Sequence, residues 1–310
     1  MLCATLGSIA LMNGAAADSE RWIVKNLGPV SSSQSLGGGS GWASLRRCTV
    51  EDSELFVKAS SRPSDSMFLG EAAGLRALHA TQTLAVPRVV HFGEAETGSG
   101  SFLVMEYLKL QGKPEPRVFG RRMAEMHLAP CAQPQAAAGM FGFSVDNTIG
   151  ATPQQNTWCK DWVEFFRERR IGFQIKTAAD AALRKEWDQV LDATDGLRDL
   201  FTDLAPGEIK PSVLHGDLWS GNIAAVDGEP AIFDPAVYYG HHEAEWGMSW
   251  CASFPPAFWE GYRELIPEAE GFARRRPLYE LYHILNHYNL FGGGYYGQSR
   301  GLLAQLARCH

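Results

Sequence analysis

The chain has 310 residues, 45% of them hydrophobic, with 28 Lys and Arg against 35 Asp and Glu for a formal net charge of -7. That length supports one large domain or two lobes with separate cores. The acidic balance without a basic block argues against a nucleic-acid partner, and no apolar run approaches membrane-spanning length, so no membrane is expected either. Six scattered cysteines without a C-x-x-C pair fit a reducing compartment rather than a disulfide frame.

Residues 1–17 are small and apolar and carry no acidic or basic side chain, a poor match to a secretory signal or a transit peptide. They read as a short N-terminal extension. Residues 18–27 read as a helix stopped by Gly28-Pro29. Gly37-Gly38-Gly39-Ser40-Gly41 follows, which alone is either a phosphate-cradling turn or a flexible linker. Next, a β-like run over 54–58 ends in Lys58, and a helical stretch over 68–79 carries Glu71. Glycine-rich turn, strand Lys and helix Glu is the order in which a kinase small lobe holds ATP: Lys on the phosphates, Glu positioning Lys. Taken singly, Lys58 could be a solvated strand end and Glu71 an exposed helix face.

Strands are expected over 86–92 and 102–108, with a loop between them. The second runs into Gly112, Pro114 and Pro116, where a hinge between lobes belongs. The extended backbone of Glu106, Tyr107 and Leu108 would offer its polar groups to an adenine edge, with Met105 bordering the pocket. The small lobe then spans 18–108 and the large lobe 109–310. Helices are expected over 117–128, 161–171, 178–200, 257–265 and 277–290, and 133–153 reads as loop-rich.

The densest signal is Leu214-His215-Gly216-Asp217-Leu218-Trp219-Ser220-Gly221-Asn222, followed by Ile232-Phe233-Asp234-Pro235. It has the H-x-D-x-x-x-x-N spacing of a kinase catalytic loop, and an apolar strand delivers one further Asp. A hydroxyl attacking a γ-phosphate needs a carboxylate to orient it and take its proton, which assigns Asp217. The triphosphate needs Mg²⁺, whose hard oxygen ligands Asn222 and Asp234 would supply. Pro235 stands where protein kinases carry a Phe. Its fixed φ and missing N–H predict a segment that does not flip between active and inactive states.

Trp219 offers a flat face for stacking on a sugar, with lobe packing as the alternative. His241, His242, Glu243 and Glu245 form a wall of the acceptor pocket or a structural hydrogen-bond site. His283 and His287 are four apart on a helix, a zinc-compatible spacing, but read better as core or pocket histidines. His242, Asn286 and His287 are placed toward the acceptor side.

His-Gly-Asp-Leu-Trp-Ser-Gly-Asn (215–222), Phe-Asp-Pro-Ala (233–236), Tyr-Gly-His-His-Glu-Ala-Glu (239–245) and Leu-Asn-His-Tyr-Asn-Leu-Phe-Gly (285–292) together resemble the fructosamine-3-kinase/ketosamine-3-kinase (protein-ribulosamine 3-kinase) family. Glu-Tyr-Leu (106–108), Met-Ala-Glu-Met-His-Leu (123–128) and the Trp-containing segment 158–171 extend the resemblance. It implies an α+β, protein-kinase-like bilobal fold with a β-rich small lobe and a mostly helical large lobe. It also implies ATP and Mg²⁺ as cofactors, and phosphorylation of the 3-hydroxyl of ribulosamine or fructosamine adducts on lysine. Carried over residue by residue, Asp217 is the base, Asn222 and Asp234 the metal ligands, and Lys58 and Glu71 the ATP-positioning pair. Gly38, Gly39 and Ser40 form the phosphate loop, and Glu106, Tyr107 and Leu108 the hinge. Ser40 stands where many members carry a Cys. Expected partners are glycated proteins or ketoamine small molecules, for a monomer or weak homodimer in the cytoplasm, alternatively a plastid.

The rival enzyme is a small-molecule kinase of the aminoglycoside or choline type. Asp203, Glu208, Glu243 and Glu245 are the candidates for the acidic pocket that its cationic acceptors need. A rival of another class is a kinase-shaped binding protein without catalysis. Such a protein usually lacks one of Lys58, Asp217 and Asp234, and all three are present.

Overall fold

The computed structural model describes residues 14–37, 43–61, 65–96 and 100–308. The small lobe is an antiparallel five-stranded sheet in the order β1-β2-β3-β5-β4. Its strands are β1 (Val30–Leu36), β2 (Ser44–Val50), β3 (Ser53–Ser60), β4 (Val89–Glu94) and β5 (Ser101–Glu106). One face is covered by α1 (Ala15–Asn26), which buries Ala15 and Ile23 against Val57, Val104 and their neighbours. The helix expected from residue 18 thus starts at Ala15, and the stretch read as an extension joins the fold at its end. The other face packs on α2 (Asp65–His79) through Phe68, Ala72, Leu75 and Leu78.

The strand expected from residue 86 starts at Val89, and β5 ends at Glu106 instead of continuing to 108. Tyr107 donates its N–H to the Glu54 carbonyl, and Glu106 donates to that of Arg88, which pins the first two hinge residues to the sheet. Helix α2 also ties the lobes together. A side chain at Gly70 would collide with Asn147 of the large lobe at 2.4 Å, so only glycine permits this approach.

The large lobe begins with α3 (Pro116–Leu128), capped by the Glu115 carboxylate on the N–H groups of Arg117 and Val118, with Pro116 in the first turn. The stretch read as loop-rich holds a short α4 (Pro134–Ala137) and a hairpin, β6 (Asn147–Ile149) and β7 (Thr152–Gln154). Next come α5 (Trp162–Phe166), a π-helical turn (Arg167–Gly172), α6 (Phe173–Ala178) and α7 (Ala181–Ala193). The helix expected over 178–200 thus starts three residues later and ends at Ala193, and residues 173–178, expected outside any helix but for the last, form α6. Ala179 takes a left-handed conformation (φ 51) and Asp180 caps the N–H groups of Ala182 and Leu183.

Strands β8 (Ser212–Leu214), β9 (Ile223–Val226), β10 (Glu229–Ile232) and β11 (Tyr238–Gly240) form two small antiparallel pairs, β8–β11 and β9–β10, which frame the 215–222 loop and Asp234. The chain ends in α8 (Ser249–Ala252), α9 (Pro256–Arg263), α10 (Phe272–Phe291) and α11 (Tyr296–Leu306). Helix α10 starts five residues before Pro277, earlier than expected. Among the described residues, no helix is long and apolar enough to cross a membrane.

Candidate active site

The 215–222 loop leaves β8 with Gly216 at φ 79, where a side chain would strike the Ala236 carbonyl at 2.2 Å. The imidazole of His215 is buried and bridges two segments. Its Nδ1 accepts from the N–H of Asp217 (3.3 Å), and its Nε2–H donates to the Phe233 carbonyl (2.9 Å). That pattern requires the neutral ring, and burial lowers the pKa of His215 accordingly.

Below the loop lies Glu245, fully buried. It accepts from the N–H groups of His215 (2.7 Å) and Gly216 (2.9 Å) and faces Nε2 of His127 at 3.4 Å. Nδ1 of His127 in turn meets the Tyr262 hydroxyl at 2.9 Å. Burial raises the Glu245 carboxyl, but His127, His215 and the Gly216 N–H outweigh it and hold the group below the usual glutamate range. A buried carboxylate that accepts backbone N–H groups is the strong, charge-assisted kind of hydrogen-bond partner.

Asn222 is buried and donates its amide N–H₂ to the backbone carbonyls of Asp217 (3.0 Å) and Asp234 (3.2 Å). With the amide nitrogen so engaged, its Oδ1 is left as a hard oxygen ligand beside the Asp234 carboxylate. The donor set suits Mg²⁺, which prefers a few carboxylate or carbonyl oxygens. Asp234 has φ 58, an uncommon conformation for a non-glycine residue, and its side chain is 58% exposed toward the cleft. Buried amides fix the residues that follow: Gln154 donates to the Ala236 carbonyl (3.0 Å) and Asn147 to that of Val237 (2.8 Å). Arg170 from the π-helical turn donates to Asn156 (2.7 Å), which donates to Asn147 (3.0 Å).

From the small lobe, the Lys58 Nζ reaches Glu71 Oε1 at 2.7 Å and Asp234 Oδ1 at 2.5 Å, so a side chain of each lobe meets here. Burial alone would lower the pKa of Lys58; the two carboxylates outweigh it and raise it. Burial pushes Glu71 up to about 6 despite the opposing charge of Lys58. Asp217 is raised to about 7, first by burial and then by the charges of Asp234 and Glu245.

Lys58, Glu71, Asp217, Asn222 and Asp234 are thus gathered at one cleft. Gly38, Gly39 and Ser40 lie outside the described residues. Of the hinge residues, Tyr107 turns its ring away, toward Phe56 (centroids 6.5 Å) and the Arg47 guanidinium (4.5 Å). Trp219 is 42% exposed, and its indole lies over Gly221. His287 donates from Nδ1 to the His283 carbonyl (2.8 Å) and packs on Trp250 and Tyr295. His242, half-buried, instead packs edge-on against His241 (4.7 Å) and lines a recess with Trp246, Trp259 and Tyr262.

The acidic residues offered for a cationic pocket are engaged elsewhere. Glu243 pairs with buried Arg275 through two contacts of 2.7 Å, Asp203 pairs with Arg274, and Glu208 accepts from the Ala205 N–H. Lys113, which sequence reasoning missed, donates to the carbonyls of Ser220 and Ile223 and so anchors the catalytic turn.

A family model described as fructosamine kinase matches residues 19–308. The chain belongs to that family. A relative from Oryza sativa subsp. indica, named protein-ribulosamine 3-kinase, chloroplastic, is 43% identical over 281 residues, covering 88% of this chain and 78% of the relative. Among solved structures, a putative fructosamine-3-kinase from Thermobifida fusca is 30% identical with a TM-score of 0.77, covering 93% of this chain and 98% of that one. A thermostable mutant of the aminoglycoside phosphotransferase APH(4)-Ia aligns with a TM-score of 0.61 at 18% identity over 94% of this chain and 98% of its own. That last likeness is one of fold alone, and it makes the family's architecture protein-kinase-like.

Proposed function

We propose that this member of the fructosamine kinase family transfers the γ-phosphoryl group of ATP to the 3-hydroxyl of ketoamine adducts, ribulosamines or fructosamines, on lysine. The observation that carries the reading is the meeting of Lys58, Glu71 and Asp234 across the two lobes, directly beside Asp217 and Asn222. Asp217 orients the acceptor hydroxyl and takes its proton as the new O–P bond forms and the bond to the β-phosphate oxygen breaks. Its carboxyl, raised to about 7 by burial, is suited to that role near neutral pH. Lys58, held by Glu71, would grip the α- and β-phosphates, the 106–108 hinge the adenine, and residues 38–40 the triphosphate. Asn222 Oδ1 and the Asp234 carboxylate would hold Mg²⁺, which when bound draws the phosphate oxygens together and neutralises their charge. Trp219 and His287 are the acceptor contacts, and His242, which lines the recess with Trp246 and Tyr262, is the weaker candidate for a third.

Loss of a proton from C1 gives a C1=C2 enaminol in which the C3 phosphate is an allylic leaving group; its departure leaves an iminium at C1, and hydrolysis of that iminium by water frees the lysine amine. The acceptor is therefore a glycated protein or a ketoamine small molecule, taken by a monomer or weak homodimer. Of the two compartments expected, the relative's name favours the plastid, which a fluorescent fusion of the full chain would test.

The decisive experiment measures ATP consumption with Mg²⁺ on ribulosyl-lysine, fructosyl-lysine, choline and an aminoglycoside, with Asp217→Asn as control. Turnover of a ketoamine, lost in the variant, is the expected result. Turnover of choline or the aminoglycoside alone would overturn the reading.

A further inference from the structure

Helix α8 packs against the catalytic turn 220–222 and carries two chemically different side chains, Trp250 and Cys251. Cys251 feels the charge of Asp217, which adds to burial in raising its thiol to about 11. Its neighbour Trp250 is 36% exposed, and core packing does not account for its position. The indole meets His287 edge-on at 5.4 Å and Tyr295 at 6.5 Å, and His287 and Tyr295 lie 5.0 Å apart. Phe291, 70% exposed, closes the group against His287 at 5.7 Å.

These rings come from three different elements. Gly292 at φ 75 turns the chain at the end of α10, so that Tyr295 returns over His287. The His287 ring is fixed by its bond to the His283 carbonyl. The result is a held set of aromatic faces and edges that opens to solvent beside the catalytic turn.

A ketoamine carries its nitrogen on C1, a few bonds from the reacting 3-hydroxyl. That nitrogen is a secondary amine, protonated at neutral pH. The acidic side chains considered for a cationic acceptor, Asp203, Glu208, Glu243 and Glu245, are all engaged elsewhere. Aromatic faces attract such a cation through their quadrupole, Trp most strongly.

We propose that Trp250, with His287 and Tyr295, forms an aromatic group next to the catalytic turn that holds the ammonium nitrogen of the acceptor, and that Trp250 thereby selects ketoamines whose nitrogen is charged. The assignment rests on the ketoamine reading above.

The test uses the full chain and two acceptors: fructosyl-lysine, and its analogue acetylated on the ketoamine nitrogen, which is uncharged. Wild type is expected to prefer the charged acceptor. Trp250→Ala should raise KM for the charged acceptor by about tenfold. It should leave kcat and the KM for ATP within about threefold and barely move the KM for the amide. Trp250→Phe should restore most of the loss, and Tyr295→Ala should act in the same direction by a smaller factor. Equal losses on both acceptors would make Trp250 a plain wall and overturn the assignment. So would an unchanged KM in Trp250→Ala, or a wild type indifferent to the charge. A wild type that turns over no ketoamine overturns the reading beneath it, and shows this before any variant is compared.

Discussion

The two lobes hold their share of the site by different means. In the small lobe, Lys58 is fixed by side chains alone, in ion pairs to Glu71 and, across the cleft, to Asp234. In the large lobe, the catalytic loop is fixed through its backbone. Glu245 accepts two of its N–H groups, Asn222 ties the Asp217 carbonyl to that of Asp234, Lys113 holds the carbonyls of Ser220 and, just past the loop, Ile223, and Ala236 donates to the His215 carbonyl. A charge pair tolerates adjustment as a nucleotide enters. A backbone held by buried acceptors does not, because each buried N–H left unpaired costs about 1–3 kcal/mol. The difference teaches where each kinetic constant is set: nucleotide binding in the adjustable lobe, chemistry in the rigid one.

The largest effect expected is from Lys58→Met. It removes the phosphate grip and leaves Glu71 buried without its cation. Glu71 already sits near 6 with Lys58 present, so without it the carboxyl rises further and takes up a proton. Steady-state kinetics should show kcat/KM for ATP down about 100-fold, with the acceptor KM within threefold. Equal changes for both substrates would break the contrast between the lobes.

Glu245→Gln sharpens it from the other side. The amide keeps the shape but sets an N–H₂ group against N–H donors or His127, and leaves one loop N–H without its acceptor. Stability should fall by about 1–3 kcal/mol in denaturant titration. The kcat should fall about tenfold or more as Asp217 loses its placement, while the KM for ATP is unchanged. A variant with wild-type kcat would show that the loop is held by its other bonds. The segment after Asp234, with Pro235 and the Asn147 and Gln154 contacts, should keep one conformation, and structures with and without ATP would show it.

How much of this was legible in the sequence follows the distance over which each feature is encoded. Asp217, Asn222 and Asp234 lie within 18 residues and carry a chemically specific spacing, so they could be read directly. Lys58 and Glu71 were legible only in their order along the chain, and the geometry brings them together at 2.7 Å. Strands β1 and β2 were missed because β1 is mostly exposed Ser and shows no alternation of apolar side chains. The start of α7 was set three residues early; Asp180, a helix cap, was the available signal. The role of Glu245 had no local signature, since a carboxylate that satisfies backbone N–H groups some 30 residues away leaves no pattern around itself. The same holds for Lys113, which reaches the catalytic turn from more than 100 residues upstream.

The smallest effect tests the rigid lobe by pH. Its core keeps His242 and His283 neutral, each pushed down to about 3, and His241 well below the ordinary value. Burial is the main cause. For His283 the charges of His287 and Arg170 add to it, and its Nδ1 has no partner among the described residues to receive a proton from a charged ring. An unfolded histidine titrates near about 6.5. Between that value and about 3, the unfolded chain therefore binds a proton that the folded chain does not. The sign follows: the contribution is fully present above pH about 6.5 and is lost as pH falls toward the folded value. For His283 alone this amounts to about 2 kcal/mol between pH 7 and pH 5. Urea titrations at those two pH values should show wild type losing about that much more stability than His283→Gln. Equal losses would mean that His283 takes up its proton without unfolding, and that the large lobe yields at this point as readily as the small one.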